Sequence, residues 1–275
     1  MKYFEIGYPN QKWSFLESVN MGLGPHGNLI VPEAWPRICP AIVDSFEDKV
    51  VHEIAVHVLE PFVGNEIPRK DLSELCRNAF NFPIDLAKLP NYSVAELFHG
   101  PTESFKDFGA RFLAQVINYS GGSERTVLVA TSGDTGGAVA SAFKHLTDTE
   151  VYILYPSGKI SDYQKSQITG QGDNVMAVEV RGDFDDCQRL VKAMFNDEEV
   201  WREKALTSTN SINIGRLLPQ MVYYFWIQSR FNSPRTFVVP SGNLGNLTSG
   251  IIASKIGLIS DGFVAAINQN DSFKR

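Results

Sequence analysis

The chain has 275 residues, enough for two domains or for one large α/β unit with a buried core. Hydrophobic residues make up 43% of the sequence and charged residues 20%, which excludes a disordered, collagen-like or disulfide-scaffold protein. The 25 basic and 31 acidic residues give a net charge of −6, which argues against nucleic acid as a partner.

The N-terminal sequence and the cysteines predict the compartment. The first residues mix charge, polarity and proline, and contain no apolar run typical of a secretion signal. The most apolar stretch, residues 221–227, is too short to cross a bilayer. Cys39, Cys76 and Cys187 are odd in number and widely spaced, which favours reduced thiols over a disulfide framework. We therefore expect a cytoplasmic protein that does not interact with membranes.

Residues 1–95 are predicted to form an N-terminal helical region. Proline and glycine separate several short amphipathic patterns there, and no alternation of strands with helices is visible. The predicted helices lie near residues 14–21, 33–39, 45–60 and 71–80.

Residues 96–275 are predicted to form a second, α/β region, because short β-branched runs alternate with helical segments. Such alternation is typical of a mainly parallel sheet flanked by helices. The predicted strands are Val127–Ala130, Val151–Tyr155, Val175–Val180, Thr236–Val239 and Phe263–Ile267. No helix follows the last of them to cover the sheet, so we expect this region to be incomplete at its C-terminus.

One lysine occupies an unusual position. The His-Gly-Pro-Thr sequence at 99–102 predicts a sharp turn, and an apolar helical stripe begins at Phe105. Lys106 therefore lies in the first turn of a predicted helix, where the helix dipole disfavours a cation. That field, together with the bulky Phe105 and Phe108, favours the neutral amine that acts as a nucleophile or base. Considered alone, a lysine at such a position is more typical of a solvated surface residue than of a catalytic one.

Two glycine-rich loops each follow a predicted strand and precede a predicted helix. The first spans residues 131–137, with its helix expected from about Ala138, and the second spans residues 240–248. Backbone N–H groups and hydroxyls at a helix N-terminus bind carboxylates and phosphates. In open α/β sheets, ligands bind outside the carboxyl ends of the strands, where such loops lie.

These loops do not match the common nucleotide-binding motifs. Neither has the glycine spacing of a dinucleotide site, and the chain contains no triphosphate-binding loop motif. A lysine at a helix start and two anion-binding loops instead favour pyridoxal phosphate. The lysine would hold the aldehyde and one loop the phosphate, which leaves the other loop for the substrate.

Five segments, in order along the chain, resemble the threonine synthase family of fold-type-II pyridoxal phosphate enzymes. The most specific is the turn at 99–102 followed by Phe-Lys-Asp-Phe at 105–108. The others are residues 14–27, 132–136, 210–220 and 241–246. Leu244 stands where the family usually has phenylalanine, a change that should leave the backbone cradle intact. Family chains also continue beyond the matched part, into a segment that carries the hydroxyl residue at the pyridine nitrogen.

The resemblance implies a reaction and a set of site residues. O-phospho-L-homoserine and water would yield L-threonine and phosphate, the last step of threonine biosynthesis. Lys106 would be the catalytic residue and would hold pyridoxal 5'-phosphate. The predicted cofactor-binding residues are Lys106, Gly242, Asn243, Leu244, Gly245 and Asn246, and the predicted substrate-binding residues are Ser132, Gly133, Asp134, Thr135, Gly136, Asn210, Asn213 and Arg216. The oligomeric state stays open.

Alternatives remain at this point. A related phospho-lyase that degrades phosphohomoserine or phosphothreonine to 2-ketobutyrate would keep the lysine and both loops. A non-catalytic remnant of the fold, acting only as a binding partner, is the second alternative. Asn213 is also typical of a helix N-cap, which needs no ligand.

The remaining motifs are interpreted as structural. His52 and His57 are five residues apart and would point about 140° apart on a helix, so no metal site is predicted. The aromatic run at 223–226 is typical of a core helix. Cys187 lies in a predicted amphipathic helix, residues 184–195, and is interpreted as a packing residue.

Overall fold

The structure, a computed structural model, describes residues 1–121 and 124–269. The predicted α/β region also includes residues 122–123 and 270–275, which lie outside the described residues. In the part of the chain that is described, none of the helices has both the length and the apolar character required to span a membrane.

The N-terminal region opens with a small antiparallel sheet of strand order β2-β1-β3. Its elements are β1 (Tyr3–Glu5), β2 (Tyr8–Trp13), helix α1 (Phe15–Met21) and β3 (Ile30–Pro32). The helix predicted at 14–21 is confirmed as α1. Its start is fixed by a capping box, in which the Ser14 hydroxyl accepts from the Glu17 N–H and the Glu17 carboxylate accepts from the Ser14 N–H.

Three helices and a hairpin complete this region. They are α2 (Pro40–Asp44), α3 (Val51–Val63), α4 (Arg69–Ala79), β4 (Asp85–Lys88) and β5 (Ser93–Glu96). The helices predicted at 45–60 and 71–80 correspond to α3 and α4. The helix predicted at 33–39 is absent, because Pro36 would remove a hydrogen bond from its interior, whereas Pro40 fits the first turn of α2. The region also holds short strands that the pattern did not predict.

The α/β region is built around a four-stranded parallel sheet of order β8-β7-β6-β9. Its elements are α5 (Lys106–Ser120), β6 (Arg125–Ala130), α6 (Asp134–Phe143), β7 (Thr149–Pro156), α7 (Asp162–Ile168), β8 (Val175–Val180), α8 (Phe184–Asn196), α9 (Glu198–Lys204) and β9 (Leu206–Ser208). The strands predicted at β6, β7 and β8 are confirmed. Strand β9 was not predicted, because it has only three residues.

Alternate residues of β6 face two separate apolar cores. Val127 and Val129 pack into the main core, which also contains the apolar side of α5. Leu128 packs with Cys187 and Val191 of α8 on the opposite face. Helices therefore cover both faces of the sheet, as the predicted fold class requires. Cys187 is a buried packing residue as predicted, and all three cysteines, which lie within the described residues, are free.

The last elements form a second, two-stranded parallel sheet. They are α10 (Ile214–Leu217), a 3-10 turn (Leu218–Gln220), α11 (Met221–Gln228), β10 (Thr236–Pro240), α12 (Gly245–Ile256) and β11 (Gly262–Ala266). The two predicted strands are confirmed, and Phe237 stacks on its register partner Phe263 with ring centroids 5.4 Å apart. Helix α11 is buried along most of its length, so the aromatic run is a core helix as predicted.

Candidate active site

The turn before α5 is built on a buried carboxylate. Asp107 is fully buried and accepts hydrogen bonds from the Thr102 N–H at 2.9 Å and the Thr102 hydroxyl at 2.7 Å. A Cβ on Gly100 would lie 2.5 Å from the Asp107 carboxylate, so only glycine fits there. Burial raises the pKa of Asp107, although the Thr102 hydrogen bonds oppose the rise. The folded turn makes Lys106 the first residue of α5, as predicted.

The Lys106 amine points at a carboxylate on the neighbouring helix. Its Nζ lies 3.3 Å from Asp134 Oδ2 and 4.7 Å from the centre of the Phe105 ring, and the side chain is 23% exposed. Gln164 of α7 donates to the other Asp134 oxygen at 2.9 Å. Burial opposes ionisation of Asp134, but the Gln164 hydrogen bond and the Lys106 charge together hold its pKa below the ordinary value. The amine is thus oriented by an ion pair, and not by bulk water.

The first glycine-rich loop connects β6 to α6. Helix α6 begins at Asp134, four residues before the expected start, because the Thr131 hydroxyl accepts from the N–H groups of Gly133 and Gly136 and closes the turn early. Gly136 is consequently buried inside the helix and does not line the pocket. The other four predicted residues of this loop, Ser132, Gly133, Asp134 and Thr135, do line it.

The second loop connects β10 to α12 and has all five predicted cofactor-binding residues 242–246 on the pocket wall. Leu244 adopts a left-handed conformation, φ 59°, which turns the backbone into the start of α12. Two tyrosines of α11 fix the Asn246 side chain. Its oxygen accepts from the hydroxyls of Tyr223 at 2.6 Å and Tyr224 at 2.7 Å.

The three predicted substrate-binding residues of segment 210–220 do not all lie in the pocket. Asn213 is fully buried; it accepts from the Gly215 N–H at 2.8 Å and donates to the carbonyls of Val19 and Ser208. It is therefore an N-cap that joins two segments, and it does not line the pocket. Asn210 and Arg216 do line it.

Arg216 is a buried cation with unused hydrogen-bonding capacity. The residue is 1% exposed, and its guanidinium donates to the Thr209 carbonyl at 2.6 Å. Its Nε has no hydrogen-bond partner among the described residues. Burial lowers the pKa of Arg216 to about 10, so the side chain is still charged at neutral pH. A buried charge of this kind is stabilised when an anion binds beside it.

These segments enclose one pocket of about 890 Å³, within the size range of small-molecule sites. Three cationic side chains, Lys106, Lys192 and Arg216, and one carboxylate, Asp134, line it, so it favours anionic ligands although the chain is acidic overall. Several lining residues were not predicted from sequence: Leu23, His26, Gln164, Lys192, Ser211 and Gln220. Leu23 and His26 lie within the family-like segment 14–27, and Ser211 and Gln220 within the family-like segment 210–220. Gln164 and Lys192 lie outside every predicted motif.

The pocket fits pyridoxal phosphate. A Cβ on Gly242 would meet no atom of the described residues within 4 Å, so the backbone of the second loop faces open space where a phosphate can approach. The start of α12, a twelve-residue helix, provides N–H groups at that place. The Lys106 amine lies in the same pocket, available to the aldehyde. Lys106 and residues 242–246 are thus the groups that would hold the cofactor.

Comparisons with known proteins agree with this geometry. Residues 86–260 match the family model described as "Pyridoxal-phosphate dependent enzyme", and residues 2–80 match "Threonine synthase N terminus". The chain is 42% identical to the threonine synthase of Escherichia coli and 33% identical to that of Pseudomonas aeruginosa, in both cases over its whole length. It spans 66% of the first of these relatives and 61% of the second.

Solved structures give the same relationship. The crystal structure of the E. coli threonine synthase matches with a TM-score of 0.94, covering 100% of this chain and 66% of that one. The pyridoxal phosphate-bound threonine synthase of Brucella melitensis matches with a TM-score of 0.91 at 36% identity, covering 99% of this chain and 62% of that one. The chain therefore belongs to the pyridoxal-phosphate dependent enzymes, has their fold-type-II architecture and uses pyridoxal phosphate as its cofactor.

Proposed function

We propose that the protein is a threonine synthase, which converts O-phospho-L-homoserine and water into L-threonine and phosphate. The observation that carries this proposal is the buried, incompletely bonded guanidinium of Arg216 in the same pocket as Lys106. The two glycine-rich loops account for the cofactor phosphate and the substrate carboxylate, which leaves this cation for a third anion, the substrate phosphate. The similarity to threonine synthases over the whole chain supports the same assignment.

The cofactor is held by the groups named above. Lys106 would bind its aldehyde carbon, and the backbone of Gly242, Asn243, Leu244 and Gly245, with the adjoining Asn246, would bind its phosphate. When bound, pyridoxal phosphate supplies an electron sink that stabilises negative charge at the substrate carbons.

The chain's own residues bind the two ends of the substrate. Ser132, Gly133, Asp134 and Thr135, at the start of α6, would bind the substrate carboxylate or the ring oxygen through hydroxyl and N–H groups. Asn210 and Arg216 would bind the substrate phosphate, since a guanidinium with a nearby amide suits an oxyanion. Gly136 and Asn213 would act indirectly, by shaping the two binding segments.

Lys106 would move the protons of the reaction. As a free amine it would accept protons from Cα and Cβ and return them to Cα and Cγ. Asp134, 3.3 Å away and fixed by Gln164, would keep the freed amine directed into the pocket. Water adds at Cβ after phosphate departs from Cγ.

The three free thiols favour a reducing compartment, so we place this reaction in the cytoplasm. The acidic net charge of −6 further argues against a nucleic-acid partner.

Product analysis tests the proposal. The cofactor-loaded protein is incubated with O-phospho-L-homoserine, and phosphate, threonine and 2-ketobutyrate are quantified. We expect equal amounts of phosphate and threonine, and neither with the Lys106→Ala variant. Ketobutyrate without threonine would instead identify a degrading phospho-lyase, and the absence of bound cofactor in a folded protein would identify a non-catalytic member of the fold.

A further inference from the structure

The segment between α1 and β3, residues 22–29, contributes to the pocket wall although no role is assigned to it. Leu23, His26 and Gly27 all line the pocket. The segment belongs to the N-terminal region, outside the part of the chain that carries Lys106 and both glycine-rich loops. His26 is the one member of this trio with a side chain that can bind an anion.

One end of the segment is fixed to the Asn210–Arg216 side of the pocket. A Cβ on Gly22 would lie 2.8 Å from the Ser208 carbonyl oxygen, so the two backbones are in close contact. Asn213 donates to the Val19 carbonyl at 2.9 Å and so ties α1 to the same place. The segment therefore adjoins the residues proposed to bind the substrate phosphate.

The other end is fixed by Glu5, whose carboxylate is fully buried. Glu5 accepts from the N–H groups of His26 at 3.0 Å and Asn28 at 2.9 Å, and its second oxygen lies 2.8 Å from His26 Nδ1. The Tyr8 ring stacks on the imidazole at 3.5 Å with 5° between the planes. Both contacts restrict rotation of the imidazole ring.

The imidazole orientation leaves one nitrogen available. Nδ1 is engaged with Glu5, whereas Nε2 has no hydrogen-bond partner in the part of the chain that the structure describes, and the side chain is 46% exposed. An imidazolium donates from both nitrogens, so its Nδ1–H would face the Glu5 carboxylate and its Nε2–H could donate to a second anion.

From this arrangement we propose that His26 is a substrate-binding residue, which donates through Nε2 to the phosphate of the substrate, and that Glu5 is its positioning residue. The inference rests on the proposed function and deepens it, because the ligand is the phosphate monoester itself. The N-terminal region thereby takes part in recognising the leaving group, in the same pocket as the α6 loop that would bind the carboxylate.

Two ligands that differ only in the anion test the inference. One is the phosphonate analogue of phosphohomoserine, in which a methylene replaces the ester oxygen, and the other is L-norvaline, the same amino acid without the phosphonate. Both are titrated calorimetrically into the cofactor-loaded protein. His26→Ala should weaken the phosphonate about tenfold, the loss of one charge-assisted hydrogen bond, and leave norvaline unchanged. His26→Arg should recover part of the lost affinity, because it restores a donor cation.

Further variants separate binding from folding. Tyr8→Ala removes the stacking ring without altering His26 and should also weaken the phosphonate selectively. His145→Ala, at an exposed histidine on the protein surface, is the matched control and should change neither affinity. Equal loss of both ligands, or an unchanged phosphonate affinity, in His26→Ala would overturn the inference. A wild type that binds norvaline as tightly as the phosphonate would overturn the proposed function and the inference together.

Discussion

The Lys106 amine and the Asp134 carboxylate face each other 3.3 Å apart at the start of two neighbouring helices. Gln164 fixes the carboxylate from the other side, and the Phe105 ring contacts the amine. The lysine amine is thus directed into the pocket by two contacts, and Gln164 fixes the carboxylate that makes one of them. The position of Lys106 could be predicted from the turn and the helical stripe, whereas Gln164 could not, because nothing in its local sequence indicates Asp134 as its partner.

Gly242 offers a test of the cofactor cradle at a single residue. Within the described part of the chain, a Cβ there would meet no atom within 4 Å, and the backbone needs no left-handed conformation. Gly242→Ala should therefore change the free energy of unfolding of the cofactor-free protein by less than about 0.5 kcal/mol. It should raise the Kd for pyridoxal phosphate roughly tenfold, since the methyl group occupies the space that a phosphate needs.

The same variant supplies its own control, because urea unfolding without cofactor and cofactor titration are measured on one preparation. If unfolding is unchanged and the Kd is also unchanged, the 242–246 loop does not bind the cofactor phosphate.

Helix α12 depends on a hydrogen-bonded junction with α11. Asn246 accepts from both tyrosine hydroxyls of α11, and burial, as the main cause, raises the pKa of Tyr223 and Tyr224, so both remain proton donors. Asn246→Ala leaves the Tyr223 hydroxyl with only a distant acceptor, Gln220 at 3.5 Å. We expect a loss of about 1–3 kcal/mol in unfolding free energy and weaker cofactor binding, because the start of α12 is less well fixed.

A double-mutant cycle with Tyr223→Phe isolates this junction. The two substitutions should be less than additive in urea unfolding, since either one removes the same hydrogen bond. Strict additivity would mean that the Tyr223 hydroxyl does not stabilise Asn246.

The spacing of apolar residues predicts helices and strands that have a clear period, but it does not predict irregular elements. Five of the six strands described in the α/β region were predicted, because β-branched runs bounded by loop residues are a strong local signal; the exception is the three-residue strand β9. Strand β2 exposes all but its last residue, so it shows no alternation to detect. The early start of α6 depends on the Thr131 hydroxyl bonding two later N–H groups, a contact that the residue pattern does not reveal.

The whole molecule joins its N-terminal region to the α/β region at the pocket. The sequence predicts the N-cap role of Asn213. It does not predict the hydrogen bond from Asn213 to the Val19 carbonyl, because the two residues are 194 positions apart and meet only in the folded chain. Arg216 differs from Asn213 because its buried Nε has no hydrogen-bond partner among residues 1–121 and 124–269. Neither the long-range hydrogen bond of Asn213 nor the burial of Arg216 can be predicted from the local sequence.

Glu5 gives the molecule a predictable pH dependence. Burial opposes its ionisation, but hydrogen bonds from His26 and Asn28 hold its pKa below the ordinary 4.5. Because the folded pKa is lower than the unfolded one, Glu5 stabilises the fold above pH 4.5, and this contribution is lost as the pH falls through the lowered pKa. Glu5→Gln should therefore be less stable than wild type at pH 7, and the difference should shrink in acid.

Urea unfolding from pH 7 down to the lowest pH at which the protein still folds measures this difference. Glu17→Gln, whose carboxylate caps α1 and also has a lowered pKa, is the comparison variant at an exposed site. A gap between wild type and Glu5→Gln that widens in acid would contradict the proposed balance of burial and hydrogen bonding at Glu5.

Identification of the lysine that holds the cofactor tests the central claim most directly. The protein is loaded with pyridoxal phosphate, reduced with borohydride and digested, and the modified peptide is sequenced by mass spectrometry. We expect the cofactor on Lys106 alone, and a Lys106→Ala variant that folds but has neither the adduct nor the visible absorbance band. An adduct on another pocket lysine such as Lys192, or a folded wild type that carries none, would contradict the account.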